Sequence, residues 1–161
     1  MNLLPKRATQ TPIRKVTISS ENAENGKIAL DVGQRFGANQ AYGVRANIAY
    51  QDGGTAVDNE KAKLGLVGLG LDYRQDNMRL SADLGYQNNE LQKTRTNVTL
   101  SGLTRVPNAA DAKSNWSQPW SYSNEKDVFG TLRAEYDLSP NLTAYGAYGF
   151  RHGEEENSLA N

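Results

Sequence analysis

The sequence predicts an all-β chain: an antiparallel, up-and-down meander of about seven strands. Three observations predict it. Apolar and polar residues alternate with a period of two through most of the chain. The alternating stretches are joined by polar turns. The connections also alternate in length along the chain.

The organising unit is a hairpin. One strand runs over 63–74, the chain turns at Gln75-Asp76-Asn77, and a second strand returns over 78–86. In the returning strand Met78, Leu80, Ala82, Leu84 and Tyr86 share a face, opposite Arg79, Ser81, Asp83 and Gly85. In the first, Val67, Leu69, Leu71 and Tyr73 oppose Gly68, Gly70, Asp72 and Arg74. A helix would scatter these residues round its axis. The turn is short and polar, so the strands pair antiparallel.

The other strands repeat the pattern. Residues 1–10 read as a short strand or linker. Strand one covers about 13–20, with Val16 and Ile18 against Lys15, Thr17 and Ser19, and 21–26 is a turn of medium length. Strand two covers about 27–36, with Ile28, Leu30 and Val32 opposite Ala29, Asp31, Gly33 and Arg35. Strand three covers about 42–51, with Tyr42, Val44, Ala46, Ile48 and Tyr50 opposite Arg45, Asn47 and Gln51. A polar loop, 52–62, leads into the hairpin, whose second strand extends toward Leu91. The stretch from 92 to 126 is irregular and holds both tryptophans, with Val98-Thr-Leu100 as a strand fragment. Strand six covers about 128–138, and strand seven about 142–151 after the turn Ser139-Pro-Asn141. An acidic polar tail follows.

Composition bounds the function. The 161 residues suffice for one domain, yet only 37% are hydrophobic and the mean hydropathy is −0.70. Either a soluble β-protein with a modest core or a membrane barrel with a wet inner face fits such values. Eighteen basic and 18 acidic residues leave no basic excess for a nucleic-acid surface. With no cysteine, disulfides and thiolate metal sites are excluded. No apolar run is long enough for a transmembrane helix. The start, Met1-Asn-Leu-Leu-Pro-Lys-Arg7, lacks the apolar stretch of a signal peptide, so the chain is expected to be a piece of something longer.

Short connections follow strands two, four and six, and longer ones follow one, three and five. In a meander every second connection lies at the same end. One end therefore carries tight turns and the other long loops, the pattern of an outer-membrane barrel. A soluble sandwich has no reason to sort its loops this way. Tyr42, Tyr50, Tyr73, Tyr86, Tyr136 and Tyr148 fall on apolar faces, where aromatic rings suit the membrane interfaces. The fold class is a partial transmembrane β-barrel. A free-standing soluble barrel or sandwich that binds a ligand is the alternative from another class.

Several stretches are familiar. Asn2-Leu-Leu-Pro-Lys-Arg7 resembles the end of the plug domain of TonB-dependent outer-membrane siderophore receptors. Leu69-Gly-Leu-Asp-Tyr-Arg74, Leu80-Ser-Ala-Asp-Leu-Gly-Tyr86, Gln118-Pro-Trp120, Ala134-Glu-Tyr-Asp-Leu-Ser139 and Thr143-Ala-Tyr-Gly146 resemble the early barrel of that family. The resemblance implies a receptor whose plug fills a 22-stranded barrel. Such a receptor binds ferric siderophore from outside, and the TonB complex drives uptake. It implies that 1–10 end a plug and 11–161 begin a barrel, with TonB contacted through plug sequence outside this chain. It also implies a place in the outer membrane of a Gram-negative bacterium, among outer-membrane lipid, with no nucleic-acid partner. No enzyme activity and no resident cofactor are implied, since iron arrives within the ligand. The fragment alone, with two unpaired edges, is not expected to transport. A porin-like channel fragment is a further alternative, but it would lack the plug-like 2–7.

The long loop supplies the candidate ligand-binding residues. Trp116, Trp120 and Tyr122 offer flat walls for an iron chelate, and Arg105, with Lys113, offers positive charge for an anionic one. Packing within the loop or at the membrane interface is the plainer role for these rings. The inner-face residues Arg45, Arg133 and Glu135 are expected to meet plug or lumen water. His152 beside Glu154, Glu155 and Glu156 is a weak metal set on a presumed loop. Gly65-Leu-Val-Gly-Leu-Gly70 lies inside a strand pattern, so it reads as space for a plug or barrel curvature and not as a nucleotide loop.

Overall fold

The computed structural model describes residues 5–22, 24–96, 101–102, 104–105 and 107–159. Seven strands form one sheet in chain order: β1 (Ile13–Asn22), β2 (Asn25–Phe36), β3 (Tyr42–Gly54), β4 (Lys61–Gln75), β5 (Met78–Gln92), β6 (Tyr122–Ser139) and β7 (Leu142–Ser158). Every neighbouring pair is antiparallel. The sheet is open, with β1 and β7 at its edges. The meander expected from alternation is therefore the fold observed.

The register keeps the expected faces together. Ala46, Leu69, Leu84 and Gly130 lie in one cross-strand row, and Asn47, Gly68, Gly85 and Phe129 lie in the next, on the opposite face. A slip of one residue would send every apolar side chain to the polar side. The β4–β5 turn consists of Asp76 and Asn77, and Asp76 sits at φ 47°, a left-handed conformation that Asp tolerates better than most residues.

Two boundaries differ from the sequence reading. The β1–β2 connection is tight, not medium, because Asn22 pairs with Asn25. The sorting of loops by end therefore rests on the connections at 55–60 and, above all, 93–121. The last hairpin is also longer than expected. β6 begins at Tyr122 and β7 runs through the acidic stretch to Ser158, so His152 and Glu154 to Glu156 are strand residues and not a loop or tail. Alternation fades there because both faces are polar, but the backbone ladder needs no apolar side chains to continue. The expected strand fragment at Val98-Thr-Leu100 lies outside the described residues.

This sheet has almost no interior. Among the described residues the buried hydrophobic side chains are Ala8 and Ala41. The large apolar residues lie instead in the open on the outer face, including Ile28, Leu30, Ile48, Val67, Leu71, Leu80, Leu84, Leu132 and Phe150. An apolar face of this extent requires a covering. Its lower border is aromatic: Phe36 stacks on Tyr42 at 5.6 Å, and Tyr42 meets Tyr73 at 5.0 Å. Tyr50, on the same strand as Tyr42, is about 26 Å further on at about 3.3 Å per residue. That height matches the roughly 25 Å apolar band of an outer-membrane barrel.

Leu84, 53% exposed, shares the row of Ala46, midway between Tyr42 and Tyr50. In the membrane-inserted protein, Leu84→Arg is predicted to lower stability by about 2–4 kcal/mol. Denaturant unfolding from lipid vesicles measures the loss.

Candidate functional site on the inner face

The polar face collects charges in alternating sign, and the N-terminal segment crosses it. Arg7 pairs with Asp83 of β5, its Nη2 donating to Oδ2 at 2.6 Å. Thr131 Oγ1 of β6 donates to the same oxygen at 3.0 Å. Arg45 of β3 grips Asp31 of β2 through Nε and Nη2, at 2.8 and 2.7 Å, and its Nη1 donates to the Arg7 carbonyl at 2.8 Å. Lys6 reaches Asp31 and Asn47, both at 3.4 Å. Residues 6–8 thus lie across the inner face, held by Arg35, Arg45 and Asp83.

Glycine makes this crossing possible. A Cβ on Gly70 would come within 3.0 Å of Arg7 Nη1 and 3.1 Å of the Lys6 carbonyl. Gly70 thus leaves space on the inner face, as its place in a strand pattern suggested.

Arg35 is the most enclosed charge. Its side chain is 2% exposed and that of its partner, Asp72, 9%. Nη1 donates to Asp72 Oδ2 at 2.6 Å and to the Ala8 carbonyl at 3.3 Å. Nε and Nη2 donate to the carbonyls of Gln40 and Ala41, at 2.8 and 3.0 Å. One guanidinium therefore ties β2, the connection into β3, β4 and the N-terminal segment together. A side chain at Gly43 would collide with Asp72 Oδ1 and Arg35 Nη1.

A second cluster lies nearer β7. Arg79 donates to Glu135 Oε2 at 2.8 Å and to both Asp137 oxygens at 2.6 and 2.8 Å. Arg133 donates to Glu135 Oε1 at 2.6 Å and stands 4.7 Å over the Tyr145 ring. Arg133 and Glu135 thus meet each other and Arg79.

At the opposite end the long β5–β6 connection packs on the β3–β4 connection. Asp58 N–H donates to the Lys113 carbonyl at 2.9 Å. Arg95 N–H donates to Glu60 at 3.2 Å, and Arg95 Nη1 to the Ala112 carbonyl at 3.1 Å. Trp116 lines a cavity of 230 Å³ with Arg95, Thr96, Ala110 and Ser114. Trp120 is exposed like Trp116, and Arg105 is exposed in the same connection. Tyr122 starts β6 and is not a loop residue; its hydroxyl donates to Glu156 at 3.0 Å. The carboxylate beside it pushes the Tyr122 hydroxyl above its ordinary range. Trp120, Tyr122 and Arg105 do not line the Trp116 cavity. His152 Nε2 is 3.7 Å from Glu154 on the exposed face of β7. Among the described residues no three His, Asp or Glu side chains form a metal-holding group.

The residues that sequence reasoning missed as a site are Arg7, Arg35, Asp31, Asp72 and Asp83. Their alternation placed the strand members on the polar face. Their pairing depends on a segment far away in sequence, which no periodicity reports.

Removing one partner of an enclosed pair strands the other. Asp72→Ala is therefore predicted to lower unfolding free energy by about 3–5 kcal/mol. Lys6→Ala, at a side chain 62% exposed, is predicted to lower it by less than about 1 kcal/mol. Chemical denaturation of the two variants separates these values.

No protein-family model matches the chain. The ferrichrome receptor FcuA of Yersinia enterocolitica is 41% identical over 155 residues, a match covering 96% of this chain and 20% of the receptor. The crystal structure of BauA, the ferric preacinetobactin receptor of Acinetobacter baumannii, superposes with a TM-score of 0.92 at 32% identity, over 96% of this chain and 23% of BauA. The siderophore receptor PiuA of the same organism shares the fold, with a TM-score of 0.83 at 14% identity over 94% of this chain and 22% of PiuA. The chain spans about a fifth of the length of the curated relative it matches. In sequence and in fold it corresponds to a stretch of the TonB-dependent siderophore receptors of the outer membrane.

Proposed function

We propose that the chain is the opening part of the barrel of an outer-membrane receptor that takes up ferric siderophore in a TonB-dependent way. The observation that carries this reading is the identity with FcuA, 41% over nearly the whole chain. It is supported by an exposed apolar face of bilayer height set against a charged inner face. On this reading 1–10 close a plug and 11–161 open the barrel. The outer face meets outer-membrane lipid. TonB engages plug sequence upstream of these residues. The role is binding and passage, with no catalysis, no resident cofactor and no nucleic acid.

The long connection at 93–121 belongs to the outside. Trp116 and Trp120 offer aromatic surface there, Tyr122 adds its ring where β6 begins, and Arg105 offers a cation. The spread of these residues suits a wide mouth closed partly by other loops of a complete barrel. The isolated chain leaves the edges β1 and β7 unpaired and does not transport by itself.

Deleting the gene in its source bacterium and measuring radioactive iron uptake tests the reading. Ferrichrome and other ferric siderophores are offered under iron starvation. Loss of uptake of at least one of them, restored by the gene, is expected. Unchanged uptake of every siderophore tried would sink the proposal.

A further inference from the structure

The outer face carries a depression that the chain does not fill with its own side chains. It follows from the register. Tyr42, Tyr73, Leu80, Ala134 and Gly146 form one outward-facing row across β3 to β7. Val44, Leu71, Ala82, Leu132 and Tyr148 form the next. Along the first row the side chains shrink toward β7, from Tyr to Leu to Ala to Gly. In the second, Leu132 and Tyr148 stand beside the two smallest, 60% and 70% exposed. Ala134 and Gly146 thus floor a groove that Ala82 continues toward Leu71, with a volume of 720 Å³.

Gly130 gives the contrast. It also faces outward on β6, but a Cβ there would come within 2.5 Å of the Phe150 ring and 3.1 Å of Leu84. The chain covers that glycine with its own side chains. A Cβ on Gly146 would meet nothing within 4 Å.

The chemistry of the groove selects its occupant. The outward-facing side chains that line it are apolar or aromatic, and none is charged. Asp72 and Arg133 border it, but both are engaged on the inner face, Asp72 by Arg35 and Arg133 by Glu135. The rows of Leu132 and Tyr136, on either side of the floor, are about 13 Å apart at about 3.3 Å per residue. Side chains narrow that gap from both sides. A helix about 10–12 Å across does not enter it, whereas a single hydrocarbon chain does. The groove adjoins the Phe36, Tyr42 and Tyr73 border, close to the β4–β5 turn. Short turns mark the periplasmic side of an outer-membrane barrel, and hydrocarbon at that level belongs to phospholipid.

We propose that this groove is a binding site for one acyl chain of a phospholipid from the periplasmic leaflet, retained there and not exchanged freely with the bilayer. The inference rests on the reading of this face as membrane-facing. It does not depend on which siderophore is taken up or on uptake itself.

The test uses the protein at the length the cell makes it, extracted from its membrane in mild detergent and weighed by native mass spectrometry. The unaltered protein is expected to carry one phospholipid through detergent exchange. Filling the groove in the double variant Ala134→Leu, Gly146→Leu is expected to lower the lipid-bound to free ratio about tenfold, as the chain loses buried methylenes. Ala46→Leu, on the same face but outside the groove, is expected to leave the ratio unchanged. Gly146→Leu alone, at a position with open space around it, is expected to lower the ratio too, and it decides the matter if the double variant does not reach the membrane. Three results overturn the proposal. One is no phospholipid on the unaltered protein. Another is a ratio equally high, or equally reduced, in the groove variants and Ala46→Leu. The third is a bound mass that is a glycolipid, a polypeptide or a second copy of the chain. Iron uptake by the same variants is a separate readout: normal uptake with the lipid lost leaves the receptor reading standing, and lost uptake with the lipid retained counts against that reading alone.

Discussion

This sheet has to hold together without a hydrophobic interior, and the rest of the structure depends on its backbone ladder. Two alanines are the buried hydrophobic side chains among the described residues. What joins the strands is continuous antiparallel pairing from β1 to β7. In hydrocarbon such pairing is obligatory, because no water satisfies an unpaired amide. The ladder also explains why β6 and β7 outlast their apolar alternation. It needs only backbone, so the strands continue past the point where side chains stop reporting a buried face.

The ladder fixes two faces, and the faces divide the work. The outer one carries Ile, Leu, Val and aromatic side chains, bordered below by the Phe36, Tyr42 and Tyr73 cluster. The inner one carries arginines and acids in crossed pairs. These pairs are not scattered surface salt bridges. Arg35 and Asp72 are enclosed, and Arg7, Arg35 and Arg45 together hold a stretch of chain remote in sequence. Gly43 and Gly70 are the small residues that let those contacts close. The inner face thus holds a segment laid across it.

Much of this was legible in sequence. The period of two set the strands, the faces and the pairing order. The inner position of Arg45 was legible, but its partners, Asp31 and the Arg7 carbonyl, were not. Three features were not legible. The tight β1–β2 turn was hidden because Glu21 to Gly26 has loop composition, although Asn22 and Asn25 pair. The extension of β7 was hidden because Glu154, Glu155 and Glu156 remove the hydrophobic signal from a strand that water surrounds. The ion-pair floor was hidden because it joins Arg7 to Asp83 and Arg35 to Asp72, across distances that only the fold spans. The loop aromatics were legible as residue types. Their arrangement was not, since Trp116 faces a small cavity that Trp120 and Tyr122 do not line.

Because the chain has no cysteine, single cysteines can be placed along β5 and spin-labelled one at a time. In lipid vesicles, the accessibility of labels at positions 79 to 86 to oxygen and to a water-soluble nickel chelate reads the face each position occupies. A two-faced membrane sheet predicts oxygen access at 80, 82, 84 and 86 and nickel access at 79, 81, 83 and 85, in strict alternation. Nickel access at every position, or a profile without that period, would contradict it.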